Sequence, residues 1–362
     1  MKSKFLICLL GFFIAVTGCS KTEHMKEKSN DVISKEETLS PIVLTSKLLQ
    51  LETGLSAIKY EGDYGFDEFL LQGGAVSDTE VAAFLSKYIE NDVSQLSFNR
   101  MSFGCSTISA KDTDGSLLFG RNFDWNSCNA MIIYSVPETG YASISTVNMD
   151  FISMTGISLS TLSDKAQAII GLYAPLDGMN EKGLAVSVNM IQDSATISQN
   201  TDKPDITTTI AIRLLLNQAA NVDEAVKLLQ QYDMHASMGY MMHLVLADTN
   251  NRSVVIEYIH NEMIVTETPV VTNFYLSEGE KKGIGTAQSH ERYDILMKTL
   301  SDNEVMSMET VRDALDSVSK DNFGEFESTE WSIVFNQSTK TIHYYHRENY
   351  SNRYTFIIEE VQ

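Results

Sequence analysis

Residues 101–125, MSFGCSTISAKDTDGSLLFGRNFDW, constrain the fold more than any other part of the chain. The alternation of residues predicts a strand from Cys105 to Ala110 and a second strand from Leu117 to Phe123. Between them, the Asp and Gly residues of segment 111–116 favour a tight turn. The segment therefore predicts a β-hairpin whose first strand opens on a cysteine and whose second strand runs into the sequence GRNFDW at 120–125.

This hairpin resembles the start of the mature chain in the choloylglycine hydrolase and penicillin acylase group of N-terminal-nucleophile (Ntn) amidases. In that group a cysteine opens the first strand, and the second strand carries Gly-Arg-Asn-hydrophobic-Asp-Trp, here 120–125. Acid-ceramidase-like amidases and acyl-CoA:6-aminopenicillanic acid acyltransferases begin similarly, behind a propeptide. The resemblance extends from about residue 101 to the C-terminus. It implies an α+β fold, a four-layer α-β-β-α sandwich. The residue pattern before it predicts a small, mainly helical propeptide.

The chemistry of a cysteine explains why such a chain would be cut before residue 105. A thiol has an unperturbed pKa of about 8.5 and needs a nearby base at neutral pH. An N-terminal cysteine supplies that base through its own α-amine, whose pKa is about 7.7–8.0. Residue 104 is Gly, which leaves the bond before Cys105 free of side-chain bulk. We therefore expect autocleavage between Gly104 and Cys105, by attack of the thiol on the Gly104 carbonyl.

The same residues also have ordinary structural interpretations. A lone cysteine in a strand is usually a buried apolar side chain. Arg121 and Asp124 could form a surface ion pair, which contributes little to stability. The resemblance instead implies that Asp124 orients the α-amine of Cys105 and that Arg121 keeps the site electropositive, favouring the thiolate.

Two asparagines complete the expected site. Residues 177–190 read DGMNEKGLAVSVNM and predict a turn at Asn180–Gly183 before a strand that carries Asn189. The sequence Val271-Thr272-Asn273 predicts another strand that ends in an asparagine. The resemblance implies that Asn189 and Asn273 bind the developing oxyanion, a role for which an amide NH₂ is a suitable donor. Asn180 is interpreted as a turn residue.

A final candidate is Arg292, in the segment Ser289-His290-Glu291-Arg292 that opens a predicted helix running to about Leu300. The related amidases place an arginine in a similar S-x-x-R segment, and Arg292 is the corresponding residue. Its alternative interpretation is a solvated or salt-bridged arginine on a helix surface.

The remaining pattern is that of a layered α/β body. A capping box at Ser77–Glu80 predicts a helix through residue 90. Strand runs bracket two central helices that are separated by a break and cap near Asn221. The further predicted elements are helices Ile206–Ala220 and Val222–Tyr232, the hairpins His243–Asp248 with Ser253–Ile259 and Trp331–Asn336 with Thr341–His346, and strands Glu262–Glu267 and Tyr354–Glu359.

The N-terminus has the pattern of an export signal. Two lysines precede an apolar run from Phe5 to Val16, which is short for a membrane span of about 20 residues. The run closes on Val-Thr-Gly-Cys at 16–19, which resembles a bacterial lipobox and implies lipidation of Cys19. The alternatives are an ordinary signal peptide and an uncleaved anchor. The polar segment that follows favours a disordered tether.

These assignments divide the chain and distribute its four cysteines. Cys8 leaves with the signal, Cys19 is lipidated, Cys105 is the nucleophile and Cys128 stays free, since a disulfide to Cys105 would abolish activity. The expected divisions are a lipoprotein signal peptide at 1–18, a lipidated tether at 19–40, a propeptide at 41–104 and an Ntn-hydrolase domain at 105–362.

Composition excludes several classes of function. The net charge of −21 argues against nucleic-acid binding and against docking on anionic lipid. The sequence contains no H-E-x-x-H motif, no G-x-S-x-G elbow and no P-loop, so we expect no metal and no cofactor.

The sequence thus predicts an extracytoplasmic, lipid-anchored amidase that acts on an amphipathic N-acyl amide, such as a conjugated bile acid, penicillin V or an N-acyl amino acid. Apolar residues after the first strands, among them Met131, Ile152 and Met154, are expected to line the acyl pocket. An acyltransferase of the same fold and an inactive ligand-binding lipoprotein are the alternatives. The oligomeric state is open, and a homo-oligomer is among the alternatives.

Overall fold

The computed structural model describes residues 40–89, 96–98, 104–154, 158–321 and 327–359. The described residues form one compact unit, and residues 1–39 lie outside the described ranges. The expected signal peptide and lipidated Cys19 therefore also lie outside them. No helix among the described residues is long and apolar enough to cross a bilayer.

The described elements follow in chain order. The strands are β1 Leu49–Glu52, β2 Leu55–Glu61, β3 Leu96–Phe98, β4 Gly104–Lys111, β5 Leu117–Trp125, β6 Ala130–Val136, β7 Ser143–Asn148, β8 Ile152–Met154, β9 Asp177–Asn180, β10 Ala185–Ile191, β11 Asp205–Thr207, β12 Asp233–His235, β13 Met241–Ala247, β14 Ser253–Ile259, β15 Glu262–Glu267, β16 Val270–Val271, β17 Ser328–Asn336, β18 Thr341–His346 and β19 Tyr354–Ile357. The helices are α1 Phe66–Leu71, α2 Asp78–Tyr88, α3 Asp164–Leu172, α4 Thr208–Gln218, α5 Val222–Leu229, α6 Ala287–Asp302 and α7 Met308–Asp316.

Two large sheets form the two central layers of the fold. The larger has the order β1-β2-β6-β7-β9-β10-β13-β14-β15, and the smaller has the order β16-β4-β5-β17-β18-β19. Helices α3 and α4 pack on the larger sheet, and α6 and α7 pack on the smaller one. The predicted four-layer α-β-β-α sandwich is confirmed.

The predicted hairpin forms the centre of the smaller sheet. β4 and β5 pair antiparallel with Cys105 opposite Phe123 and Gly104 opposite Asp124. In the turn between them, Gly115 adopts a φ of 88°, a left-handed conformation that suits glycine. The Asp114 carboxylate accepts a hydrogen bond from the Ser116 amide at 2.8 Å. The local sequence therefore specifies both the turn and the register that places Cys105.

Side chains of both sheets fill the space between them. Phe123 of β5 stacks on Trp331 of β17, with ring centroids 3.9 Å apart. The indole Nε1 of Trp331 donates to Asp177 of β9, in the opposite sheet, at 2.9 Å. On the outer face of the smaller sheet, a separate apolar cluster joins Val334 of the sheet to Leu315 of α7. The core thus has an inter-sheet layer, where the site lies, and layers beneath the helices.

The segment before Cys105 is part of this core. Its predicted helix is confirmed as α2, and the Ser77 side chain accepts a hydrogen bond from the Glu80 amide. The sequence predicts a mainly helical segment. Helices α1 and α2 account for only part of it, because strands β1 and β2 precede them. β2 pairs in parallel with β6 over its whole length, from Leu55 opposite Ala130 to Glu61 opposite Val136. The segment therefore adds two strands to the larger sheet.

This packing predicts that a change in the segment destabilises the whole body. Phe69 of α1 is buried and packs edge-on against Tyr173, 5.6 Å away between ring centroids. We expect Phe69→Ala to lower the free energy of unfolding by about 3–5 kcal/mol. Urea denaturation followed by tryptophan fluorescence measures this loss, because Trp125 and Trp331 both lie in the smaller sheet.

The matched control is Leu71→Ala on the same helix, where the side chain is 88% exposed. It should change stability by less than about 0.5 kcal/mol. An unchanged unfolding curve for Phe69→Ala would show that the segment does not share the core.

Candidate active site

Cys105 lies at the start of β4, fully buried between the two sheets. Each of its polar groups contacts a residue that the sequence singled out. Its amide N–H donates to Oδ1 of Asn273 at 2.9 Å, and its carbonyl accepts from Nη1 of Arg292 at 2.8 Å. Nη2 of Arg121 lies 3.3 Å from its Sγ. Cys105, Arg121, Asn273 and Arg292, separated by up to 187 residues in the chain, therefore form one cluster.

Arg121 is held from both sheets and is fully buried. It projects from β5, and its Nη1 forms an ion pair with Oδ2 of Asp177 at 2.5 Å. Its Nη2 also donates to the Val188 carbonyl at 3.0 Å. The interpretation of Arg121 as a surface residue is therefore wrong. Burial raises the pKa of Asp177, while the guanidinium of Arg121 acts in the opposite direction.

The thiol differs from the expectation for an electropositive site. Burial is the largest influence and raises the pKa of Cys105 to about 11, although Arg121 and Arg292 act to lower it. The thiol of the uncleaved chain is thus neutral at physiological pH. The predicted direction of the Arg121 contribution is correct, but desolvation outweighs it.

Asp124 lies beside the bond expected to be cut. Its Oδ1 accepts from the Thr329 hydroxyl at 2.8 Å, and its Oδ2 accepts from Nη1 of Arg292 at 3.2 Å. A Cβ added to Gly104 would lie 2.8 Å from that Oδ2 and 2.7 Å from Nζ of Lys320. Gly104 is therefore closely packed against the ends of two charged side chains, and Asp124 is fully buried rather than on the surface.

The two asparagines occupy adjacent positions in the inter-sheet layer. Asn273 follows β16, and its Nδ2 donates to the Met190 carbonyl at 2.6 Å. Asn189 lies on β10, and its Nδ2 donates to the Val271 carbonyl at 3.3 Å. Val188, which precedes Asn189, places its carbonyl 3.6 Å from the Cys105 Sγ. Asn189 is therefore the next residue along β10 after the carbonyl that contacts the thiol.

Arg292 connects the rest of the cluster from helix α6. It is 5% exposed, so its interpretation as a solvated residue is wrong. Besides Cys105 and Asp124, its guanidinium binds the Ser106 hydroxyl at 2.6 Å and Oδ1 of Asn273 at 2.8 Å. Asn180, outside the cluster, is the predicted turn residue and accepts hydrogen bonds from the amides of Lys182 and Leu184.

Sequence reasoning missed two charged residues of this site. Asp177 stands immediately before the Asn180 turn, and its position in an otherwise apolar stretch was the available signal. Lys320 is 6% exposed, with its Nζ 3.6 Å from Oδ2 of Asp124, and it also pairs with Glu327. Nothing in its local sequence distinguishes Lys320 from a surface lysine. Cys128 is buried and free, as expected.

The described ranges contain no group of three or more His, Cys, Asp or Glu side chains that could hold a metal ion. The charged groups at Cys105 are instead guanidinium, ammonium and carboxylate groups. This set can orient an amine and a thiol and can surround a developing negative charge.

A family model described as acyl-coenzyme A:6-aminopenicillanic acid acyl-transferase matches residues 110–350. This chain belongs to that family. The matched range includes Arg121, Asp124, Asn189, Asn273 and Arg292 and begins after Cys105.

The individual proteins similar to this chain share low sequence identity with it. Penicillin V acylase from Pectobacterium atrosepticum is 26% identical over 157 residues, which are 40% of this chain. The match spans only about two fifths, 41%, of that relative's length. Two structures of altered forms of conjugated bile acid hydrolase from Clostridium perfringens, at 16% and 14% identity, each have a TM-score of 0.53 and cover 70% of this chain and 92% of their own. These structures support the fold.

The ion pair across the two sheets generates a stability prediction. Arg121→Met keeps much of the side-chain length but leaves the buried Asp177 carboxylate without its guanidinium. Removing one partner of a buried pair costs about 3–5 kcal/mol, and urea denaturation should show a loss of that size. The double variant Arg121→Met/Asp177→Asn should recover part of it, because the unpaired charge is gone. If the single and double variants lost equal free energy of unfolding, the unpaired Asp177 charge would not be the cause of the loss.

Proposed function

We propose that this protein is a cysteine Ntn amidohydrolase that cleaves non-peptide C–N bonds of linear N-acyl amides. The observation that carries the proposal is the engagement of all three polar groups of Cys105 by Asn273, Arg292 and Arg121. Family membership supports it, as do relatives that are named penicillin V acylase and conjugated bile acid hydrolase. From those names we propose for this protein only the hydrolysis of an amide.

The first step in this proposal is cleavage of the chain itself. The Sγ of Cys105 attacks the carbonyl carbon of Gly104, an S–C bond forms and the C–N bond breaks. The released nitrogen takes up a proton and becomes the α-amine of Cys105. Water then hydrolyses the thioester and leaves a carboxylate on Gly104. Asp124 is well placed to orient the new amine, because it lies opposite Gly104 in the hairpin and is itself held by Thr329 and Arg292.

Substrate turnover repeats this chemistry on an external amide. The α-amine accepts the thiol proton, the thiolate attacks the acyl carbonyl, and the α-ammonium returns the proton to the leaving nitrogen. Water then releases the acyl group from the thioester. An amide NH₂ carries two N–H bonds. For Asn189 and Asn273, one hydrogen bond to a carbonyl orients the group, and we assign the second N–H to the oxyanion.

We place the acyl group in a cavity of about 510 Å³ that includes three of the predicted pocket residues, Met131, Ile152 and Met154. Phe151, which directly precedes Ile152, packs against Phe123, the residue opposite Cys105 in the hairpin. Strands β1 and β2 also contribute to the lining. The cavity has room for an apolar acyl chain, and its methionines suit ligands of varied shape.

The proposal predicts that turnover depends on one of two buried cysteines. Cys105→Ala should abolish hydrolysis of a panel of N-acyl amides, measured as amine release, because no thioester can form. Cys128→Ala is the matched control, since Cys128 is also buried and free. It should retain activity within about threefold. Full activity of Cys105→Ala would sink the mechanism.

The family name favours one alternative, an acyltransferase in which an amine rather than water takes the acyl group from Cys105. Adding an amine acceptor to the wild-type assay separates the two. Hydrolysis alone yields only the free acid, whereas a transferase yields a new amide at the expense of the acid. A protein that binds the amides but yields neither product would instead be a ligand-binding lipoprotein.

We further propose that the protein is lipidated on Cys19 and anchored on the extracytoplasmic side of a bacterial envelope. The support is the sequence pattern of residues 1–19. Cys19→Ser should remove the incorporation of labelled fatty acid and release the protein from the membrane fraction. Two acyl chains hold a protein stably at a membrane, so wild-type protein should stay in that fraction at high salt. Label retained on Cys19→Ser would contradict this assignment.

A further inference from the structure

Three buried polar side chains form a row on the inner face of the larger sheet. Asn189 on β10 lies directly opposite His243 on β13. The register of β13 with β14, in which Leu244 faces Ile256, places His243 opposite Glu257. Side chains of directly opposed residues lie on the same face of a sheet. All three members of the row are fully buried, and one end of the row is the proposed oxyanion donor Asn189.

His243 and Glu257 form a close pair. Nδ1 of His243 lies 2.8 Å from Oε1 of Glu257. Burial alone would raise the pKa of Glu257, but the adjacent His243 and the hydrogen bonds from the Leu276 and Ser277 amides lower it to about 2. The carboxylate is therefore ionised at neutral pH. A buried polar pair of this kind is seldom more stabilising than apolar side chains of the same volume, so we assign the pair a role in orientation.

The other contacts of Glu257 lie just beyond Asn273. Its Oε1 accepts from the Leu276 amide at 3.0 Å, and its Oε2 accepts from the Ser277 amide at 2.7 Å. The carboxylate thus binds the backbone three and four residues after Asn273, the second proposed oxyanion donor. At the other end of the pair, His243 lies beside the first donor.

We propose that His243 and Glu257 form a positioning pair that holds Asn189 and Asn273 in the geometry needed to bind the oxyanion. His243 lies directly opposite Asn189 in the sheet, and Glu257 fixes the backbone that follows Asn273. Neither residue contacts Cys105 in this assignment, so both act through the asparagines. The inference rests on the proposed amidase function and adds the residues that set its oxyanion geometry.

Glu257→Gln tests the pair in the full-length, processed enzyme. The variant keeps the side-chain volume but replaces one acceptor oxygen by an NH₂ that faces a backbone N–H. A displacement of about 1 Å at a reacting group can cost about 100-fold in rate. We expect kcat for amide hydrolysis to fall about 10- to 100-fold, with KM changed by less than about threefold. Alkylation of Cys105 by iodoacetamide should keep its wild-type rate, because this reaction forms no oxyanion.

The matched control is Asp248→Asn, at the far end of β13. Asp248 is also a buried carboxylate that accepts backbone hydrogen bonds, from the amides of Val222 and Asn250 at 2.8 Å each. Its kcat should stay within about threefold of wild type. An unchanged kcat in Glu257→Gln, or an equal fall in kcat and in the alkylation rate, would overturn the inference.

A second pair of variants covers the case in which Glu257→Gln does not fold. His243→Leu removes the polar ring beside Glu257, whereas His243→Asn keeps a polar side chain with N–H groups at that position. The Leu variant should lose kcat and the Asn variant should recover most of it; equal kcat values would contradict the positioning role. Wild-type protein that hydrolyses no amide would instead refute the proposed function, and with it this inference.

Discussion

The ion pair between Arg121 and Asp177 fixes how the two sheets meet at the thiol. Arg121 projects from the smaller sheet, Asp177 from the larger one, and both are fully buried. Trp331 adds a neutral hydrogen bond to the same carboxylate, so the buried charge is compensated from two strands. Because the pair sets where Nη2 of Arg121 points, it also sets the contact with Cys105. Moving either sheet would disturb the thiol.

A second arginine completes the arrangement from outside the sheets. Arg292 binds the carbonyl of Cys105, the carboxylate of Asp124 and the amide oxygen of Asn273. It thus holds together the residues that we propose as nucleophile, amine-orienting residue and oxyanion donor. The planar guanidinium carries five N–H donors in a rigid fork and can serve these three acceptors at once. The thiol nevertheless stays neutral in the uncleaved chain because burial dominates its pKa. In the proposed mechanism, the α-amine that serves as base for substrate turnover becomes available only after the bond before Cys105 is cut.

Much of this site was predictable because its residues sit in strongly patterned local segments. The hairpin from Cys105 to Asp124 follows from alternation and an Asp-Gly turn, and α5 begins after Asn221 as its capping pattern predicted. The features that the sequence did not predict depend on contacts between segments that are distant in the chain. The parallel pairing of β2 with β6 and the approach of Lys320 to Asp124 leave no periodic trace in the sequence. The raised pKa of Cys105 likewise depends on burial, which the residue type alone does not reveal.

The central claim is that Cys105 becomes the N-terminus of a catalytic chain that keeps its preceding segment bound through the shared sheet. Mass measurement of the purified exported protein tests it most directly, under denaturing and then native conditions. The account predicts, under denaturing conditions, a chain of the mass of residues 105–362 that is absent from Cys105→Ala. Under native conditions, the account predicts a mass equal to that chain plus the cleaved segment that ends at Gly104. A single uncleaved chain that still hydrolyses amides would contradict the account.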